Sequence, residues 1–334
     1  MGRVVVITTG GTIASRWQGA GFAAEARGPE VLATAAVPQD LAVEVVDLFS
    51  VNSPRLTTDH QLTLLRTVHE VLAAPEVDGI VVTHGTDTLE ETAFLVDLHH
   101  DDPRPVVFTG AQLPMDTAEG DGPGNLYDAL VAASQLRGLG ALVVFDGKVH
   151  AARGTVKTQT LAADAFADPS GRRIGDVGFG KVSVLRTPLR PSALALPELP
   201  DAAPRVDMVM HHADGDPVLL EAAVAAGAQG IVLVATGAGN ATPEIVAAVA
   251  AARAAGVLVA LTTRVAAGPV AEIYTHGGAV DLVAAGAVPT GTLRAGQARI
   301  AVLSALLAAD DQARREAVLR AALADAPSEW PAHA

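Results

Sequence analysis

The feature that most constrains this chain is a repeated alternation of short, uninterrupted apolar runs with longer segments of helical spacing. Arg3–Thr8 is rich in β-branched residues and lacks polar alternation, the pattern of a strand buried on both faces. Leu41–Leu48, Gly79–Thr83, Pro105–Thr109 and Ala141–Asp146 also read as strands. Between them, Asp59–Ala73 places Leu62, Leu65, Val68 and Leu72 at helical spacing, with Asp59 as the expected N-cap. Leu89–Leu98 is the next helix, with Glu90 and Glu91 favouring its first turn. Asn125–Leu136 is a third, behind the turn Gly122-Pro-Gly124. Repeated strand–helix units imply a parallel sheet with helices on both faces.

The rhythm breaks once. Arg186–Pro204 carries five prolines and reads as a linker. The alternation then resumes with strands at Met208–Met210, Gly230–Ala235 and Val257–Thr262. Helices are expected at Pro217–Ala226, Pro243–Ala255, Ala298–Leu307 and Asp310–Leu323. The expected organisation is therefore α/β: a larger N-terminal domain over residues 1–185, a linker at 186–204, and a smaller α/β domain over 205–334. A chain of 334 residues suits about two domains. The tail Pro327–Ala334 is expected to fray.

Charge narrows the partners. The net charge of −14 gives no general attraction to nucleic acid or to an anionic membrane face. The chain has no cysteine, which excludes disulfides, thiolate metal sites and a cysteine nucleophile. Met1–Thr9 has too few apolar residues for a secretory signal. The most apolar stretch, Ile245–Leu261, is interrupted by Arg253 and Gly256 and falls short of a spanning helix. A soluble, cytoplasmic protein is expected.

In open parallel sheets, ligands sit beyond the carboxyl ends of the strands. Two strand ends here are unusually polar. The first reads Thr8-Thr-Gly-Gly-Thr-Ile-Ala14, where Gly10 and Gly11 permit a tight turn and Thr12 presents a hydroxyl. Taken alone, this is also a plain turn with a capping threonine. The second reads Thr83-His-Gly-Thr-Asp-Thr88, with Thr86 as a second hydroxyl and Asp87 as a carboxylate able to hold an ammonium. Its structural alternative is a helix start capped by Asp87 or Thr88. A third segment, Val149–Thr158, carries Lys157 just past a predicted strand. A loop lysine is usually solvated, but one desolvated near Asp87 could act as a base.

Together these segments resemble the bacterial-type L-asparaginase family, which includes the glutaminase-asparaginases. The resemblance is carried by Thr9-Gly-Gly-Thr-Ile-Ala14 and His84-Gly-Thr-Asp-Thr-Leu89. It is extended in order by Gly110-Ala111, Asp121-Gly-Pro-Gly-Asn-Leu126, Ala152-Arg-Gly-Thr-Val-Lys-Thr158, Arg264-Val265, Ala284-Ala-Gly286 and Gly291-Thr-Leu293. The resemblance implies hydrolysis of a side-chain amide through an acyl-enzyme, with L-asparagine as the first-choice substrate and L-glutamine as the alternative. A non-catalytic amino-acid binder is the rival of a different class. Thr12 corresponds to the nucleophile. Thr86 corresponds to a second essential threonine, polarised by Lys157 and Asp87. N–H groups near Gly11, Thr12, Gly85 and Thr86 would stabilise the oxyanion. Asp87 would bind the substrate α-ammonium, Ser53 its α-carboxylate, and the Ala111 carbonyl the leaving nitrogen. The resemblance implies no metal or organic cofactor, no nucleic-acid or membrane partner, and a homotetramer built as a dimer of dimers.

The sequence also departs from the family. Many members carry a tyrosine on the mobile loop after the first motif; Ser15–Arg27 has none. Phe22 lies near its position, and Glu25 is the nearest ionisable residue. Pro54 stands where many members have a polar side chain. Asn240 and Glu272 lie in the loops by which a neighbouring subunit often completes the site.

Other groupings read as structural. His211-His212-Ala-Asp214-Gly-Asp216 could suggest a metal, but adjacent histidines on a strand point to opposite faces. His99-His100-Asp101-Asp102 reads as a solvated helix end. Gly237-Ala-Gly239-Asn240 lacks the third glycine of a dinucleotide loop. Trp17 and Trp330 form no stacking platform for bases.

Overall fold

The apolar runs of the N-terminal half pair edge to edge. In the computed structural model, which describes residues 2–198 and 202–324, the chain divides into two units, Met1–Pro188 and Leu189–Ala334. The first unit opens with β1 (Gly2–Thr8), followed by a small hairpin of β2 (Ser15–Trp17) and β3 (Phe22–Ala24), a short α1 (Gly28–Leu32), and β4 (Leu41–Asp47). Then come α2 (Thr58–Leu72), β5 (Gly79–Thr83), α3 (Leu89–Leu98), β6 (Val106–Thr109), α4 (Gly122–Gln135) and β7 (Ala141–Phe145). Five short strands complete it: β8 (Lys148–Ala151), β9 (Val156–Lys157), β10 (Phe166–Ala167), β11 (Gly175–Gly178) and β12 (Lys181–Val184).

The large sheet has the order β4-β1-β5-β6-β7-β8-β11-β12. It is parallel from β4 to β7 and antiparallel beyond. The change of direction follows from turn chemistry. Asp146 and Gly147 both have positive φ between the paired residues Phe145 and Lys148. Two such residues make the tight turn that matches strand twist. Phe179 and Gly180 do the same between β11 and β12.

The chain passes from β1 to its neighbour β4 on one side, then returns to β5 on the other. That reversal makes the end of β1 the switch point where such sheets open a crevice. The strand ends are level, because Thr8 pairs with both Asp47 and Thr83, and Thr83 pairs with Thr109. Beneath them, Val4, Val6, Val81, Val107 and Leu142 pack with Leu126 and Leu130 of α4 in a core that excludes water.

The second unit is a four-stranded parallel sheet of β13 (Val206–Met210), β14 (Gly230–Ala235), β15 (Leu258–Thr263) and β16 (Val288–Pro289). Its helices are α5 (Val218–Ala225), α6 (Pro243–Ala254), α7 (Ala279–Ala284), α8 (Ala295–Ala308) and α9 (Gln312–Leu323). Ile231, Leu233, Val249, Val259 and Leu261 are central to its core. Residues 186–198 carry no helix or strand. The Pro327–Ala334 tail, with Trp330, lies outside the described residues.

Several local expectations are corrected. Thr57, not Asp59, caps α2; its hydroxyl accepts from the His60 N–H while the His60 side chain reaches back to Thr57. The reciprocal pair satisfies two of the helix's open donors. The α4 helix starts at Gly122 rather than Asn125, because Pro123 is pre-set for a first turn. His99 and His100 are buried, not solvated, and His100 Nε2 donates to the Arg104 carbonyl at 2.8 Å. As expected, the Ile245–Leu261 run is split between α6 and β15. No described helix is long and apolar enough to cross a membrane.

Candidate active site

Glycines let the strand-end loops touch. Gly11 has φ 85 and ψ −172, a conformation essentially reserved for glycine. A Cβ on it would lie 2.4 Å from the Gly85 Cα, so the two motif loops meet backbone to backbone. A Cβ on Gly85 would in turn fall 2.6 Å from the Ser53 hydroxyl. Thr9 helps to fix the approach by donating its hydroxyl to the Thr83 carbonyl at 2.9 Å.

These loops surround a cleft of about 400 Å³, within the range that holds small ligands. Gly11, Thr12, Ser53, Gly85, Thr86 and Asp87 line it, together with Phe22, Asn52, Pro54 and Gln112. Thr12 opens a single 3₁₀ turn, Thr12–Ala14. Ser15 spends its hydroxyl on the Gly11 carbonyl, whereas the Thr12 hydroxyl takes no partner among the described residues.

Lys157 comes from β9, far away in sequence, and its Nζ donates to Thr86 Oγ1 at 2.8 Å and to Asp87 Oδ1 at 2.9 Å. The lysine side chain is 17% exposed and the aspartate 56%. An ion pair with so open a partner adds little stability, so its consequence is geometric: it orients the ammonium against Thr86. The helix-start alternative for this motif does not hold. Thr88 occupies the N-cap position of α3 without a side-chain cap bond. Its hydroxyl goes instead to the Ser53 carbonyl at 3.1 Å, and the Asp87 N–H goes to Ser53 Oγ at 3.2 Å. The motif's side chains thus serve the cleft wall rather than the helix end.

Not every candidate reaches the cleft. Ala111 is fully buried, and its neighbour Gln112 lines the cleft instead. The loop around it is pinned by Asp121, which accepts from the Gln112 and Leu113 N–H groups, and by Asn125, which donates to the Gly110 carbonyl. Phe22 faces the cleft and packs edge-on against Trp17 at 5.1 Å. Glu25 is exposed, bonds to Gln18 and does not line the cleft. Asn240 and Glu272 belong to the second unit; Asn240 closes a turn with Thr236, and Glu272 is exposed.

Two groups, buried His84 and half-buried Glu90, carry roles the sequence did not reveal. Burial holds His84 down at about 4, and its neutral ring donates to the Gly85 carbonyl at 2.8 Å. The histidine is a brace for the loop. Glu90 was assigned only to the helix dipole, yet its carboxylate accepts the main-chain N–H of Lys157. Burial pushes it up to about 7 against the pull of that N–H. The signal was available: Glu90 shares a helical face with Ala93, Phe94 and Asp97, all buried.

The set-aside histidines also differ from expectation. His211 and His212 follow β13 in a loop, as expected, but their rings stack at 6.4 Å instead of facing apart. Among the described residues, no group of three or more His, Asp or Glu could hold a metal ion.

The cleft at the switch point of the parallel sheet thus holds an ordered threonine–lysine–aspartate set beside a free threonine hydroxyl. The family model for the asparaginase N-terminal domain matches residues 3–190, and that for the glutaminase/asparaginase C-terminal domain matches residues 205–319. An L-asparaginase of Bacillus licheniformis is 35% identical over 86% of this chain and 89% of its own length. A probable L-asparaginase of Deinococcus radiodurans is 37% identical over 90% and 92%. The crystal structure of a probable cytoplasmic L-asparaginase from Campylobacter jejuni superposes with a TM-score of 0.83 at 29% identity, covering 96% of this chain and 99% of that one. The chain belongs to the asparaginase family.

Proposed function

We propose that this protein hydrolyses the side-chain amide of L-asparagine, giving L-aspartate and ammonia through an acyl-enzyme on Thr12. The observation that carries the reading is the Lys157 ammonium bonded to both Thr86 and Asp87 in the same cleft as Thr12. Thr12 Oγ attacks the amide carbon, and its proton leaves on the departing nitrogen as ammonia. N–H groups of the Gly11–Thr12 and Gly85–Thr86 loops receive the oxyanion. Water, positioned with Thr86 and Lys157, then cleaves the aspartyl ester and restores the Thr12 hydroxyl. Asp87 and Ser53, which line the cleft, hold the substrate α-ammonium and α-carboxylate. The chemistry needs no metal or organic cofactor.

A mixed asparaginase–glutaminase is the second reading. It is favoured by Pro54 lining the cleft beside Ser53, at a position where many family members have a polar side chain. Ammonia release from L-asparagine and L-glutamine side by side, with Thr12→Ala as the blank, separates the two. Release from asparagine alone supports the first reading. Comparable release from both supports the second. Binding of either amide without turnover overturns both in favour of a non-catalytic binder.

A homotetramer and a cytoplasmic location belong to the same reading. Light scattering on the purified protein tests the association. The designation of the Campylobacter jejuni neighbour supports the location, which cell fractionation tests.

A further inference from the structure

The first turn of α3 holds Lys157 at both ends. Thr86 and Asp87, just before the helix, take the ammonium. Glu90, inside its first turn, takes the main-chain N–H of the same residue. Lys157 lies on β9, a strand of two residues paired only with the two residues of β10. So small a ladder cannot by itself fix where a long side chain begins. A main-chain N–H withdrawn from water needs an acceptor, and here, in a part-buried bond, a carboxylate three residues from Asp87 supplies it.

We propose that Glu90 is the positioning residue for Lys157: its carboxylate anchors the lysine backbone to α3, and so sets where the ammonium meets Thr86 and Asp87. The inference rests on the reading of Lys157 given above. Glu90 does not line the cleft; it acts through Lys157. A carboxylate on the helical face it shares with buried Ala93 and Phe94 carries a desolvation cost that a helix-dipole role alone would not require. Its burial, with Glu91 adjacent, raises it to about 7. The N–H of Lys157 opposes that shift, as expected for an acceptor in use.

The test compares Glu90→Gln, which keeps an acceptor oxygen, with Glu90→Leu, which removes it at similar volume. Lys157→Met is the control. The expected result is a kcat for Glu90→Gln within about threefold of the parent. For Glu90→Leu, kcat falls about tenfold to a hundredfold, as for a misplaced catalytic group, with KM within about threefold. Glu90→Asp, which retains the charge but withdraws the oxygen, falls between them, and it serves if Glu90→Leu does not fold. Parent-like kcat in both Glu90→Leu and Glu90→Asp, with Lys157→Met inactive, overturns the role of Glu90 alone. Equal losses in Glu90→Gln and Glu90→Leu overturn it too, because the acceptor would then not matter. Parent-like activity in Lys157→Met overturns the reading of Lys157 itself.

Discussion

The two units are built by the same grammar but use their strand ends differently. In the second unit the hydroxyls at the strand ends are consumed by the main chain. Thr236 donates to the Asn240 carbonyl at 2.8 Å, Thr263 to the Gly237 carbonyl at 2.6 Å, and Thr262 to the Leu293 carbonyl at 2.8 Å. The first unit also spends its nearest hydroxyls: Thr8 donates to the Asp47 carboxylate, Thr9 to the Thr83 carbonyl, and Thr109 to the Val144 carbonyl. It then continues for a few residues more. Thr12 and Thr86 stand beyond that bracing layer, in a cleft that also receives Lys157.

The difference shows that a glycine loop after a parallel strand is not in itself a site. Gly237-Ala-Gly239-Asn240 closes on itself, with Gly239 wedged against Val270 and Ala279. Gly11 instead meets Gly85 of a neighbouring loop, leaving side chains from two strands facing one space. Contact between two strand-end loops, with a cation supplied from a third, separates a chemical site from a turn.

Cation substitutions in the two units should break the comparison most sharply. Lys157→Met should lower kcat about a hundredfold to ten-thousandfold, the scale of a lost acid–base group, with the melting temperature nearly kept. Arg253→Met, which removes the α6 cation paired with Glu316 of α9, should do the reverse. It should cost about 1–3 kcal/mol of stability in denaturant titration, as for a charge-assisted bond, and leave kcat per folded protein unchanged. Next come the glycines. Gly11→Ala and Gly239→Ala each force a Cβ into a close contact at positive φ, so each should destabilise by about 1–3 kcal/mol. Only Gly11→Ala should also reduce turnover, by about a hundredfold, because it parts the loops that carry Thr12 and Thr86.

The smallest effect is on pH dependence. Burial holds His84 and His150 down at about 4, and Lys148 and Arg173 add to the effect at His150 against Asp168 and Asp176. Unfolded histidine titrates near 6.5, so between about pH 6.5 and 4 the unfolded chain binds more protons than the folded one. Stability contributed by the neutral rings is present above that window and is lost as pH falls through it. Glu90 and Asp128, raised to about 7 and about 6, act in the opposite sense, lowering stability as pH rises. His150→Leu should therefore flatten the acid side of a melting-temperature profile while changing turnover at neutral pH little.

Much of this was legible in the sequence because parallel strands buried on both faces announce themselves as apolar runs. Gly79–Thr83, Leu89–Leu98 and Gly230–Ala235 have the same ends in sequence and structure. The antiparallel extension from β8 to β12 was not legible by periodicity, since its strands are two to four residues long. Its signal was turn chemistry, in the Asp146-Gly147 pair. Thr12, Thr86, Asp87 and Ser53 could be named because they sit in polar text directly after strands or in a matching motif. Lys157 could be named from its segment as a candidate base, but its place beside Thr86 was legible only through resemblance, since nothing local says that β9 returns to Thr86. Glu90 was missed because its acceptor role depends on a backbone 67 residues away.

The central claim is that Thr12 carries the acyl group, and the most direct measurement is capture of that intermediate. Rapid acid quench of the protein turning over L-asparagine, followed by intact-mass and peptide analysis, should find an aspartyl group esterified to the Thr12 peptide. The adduct should be absent in Thr12→Ala and should accumulate when Thr86→Ala slows the water step. An aspartyl adduct on Thr86 or elsewhere, or full turnover by Thr12→Ala, would contradict the account.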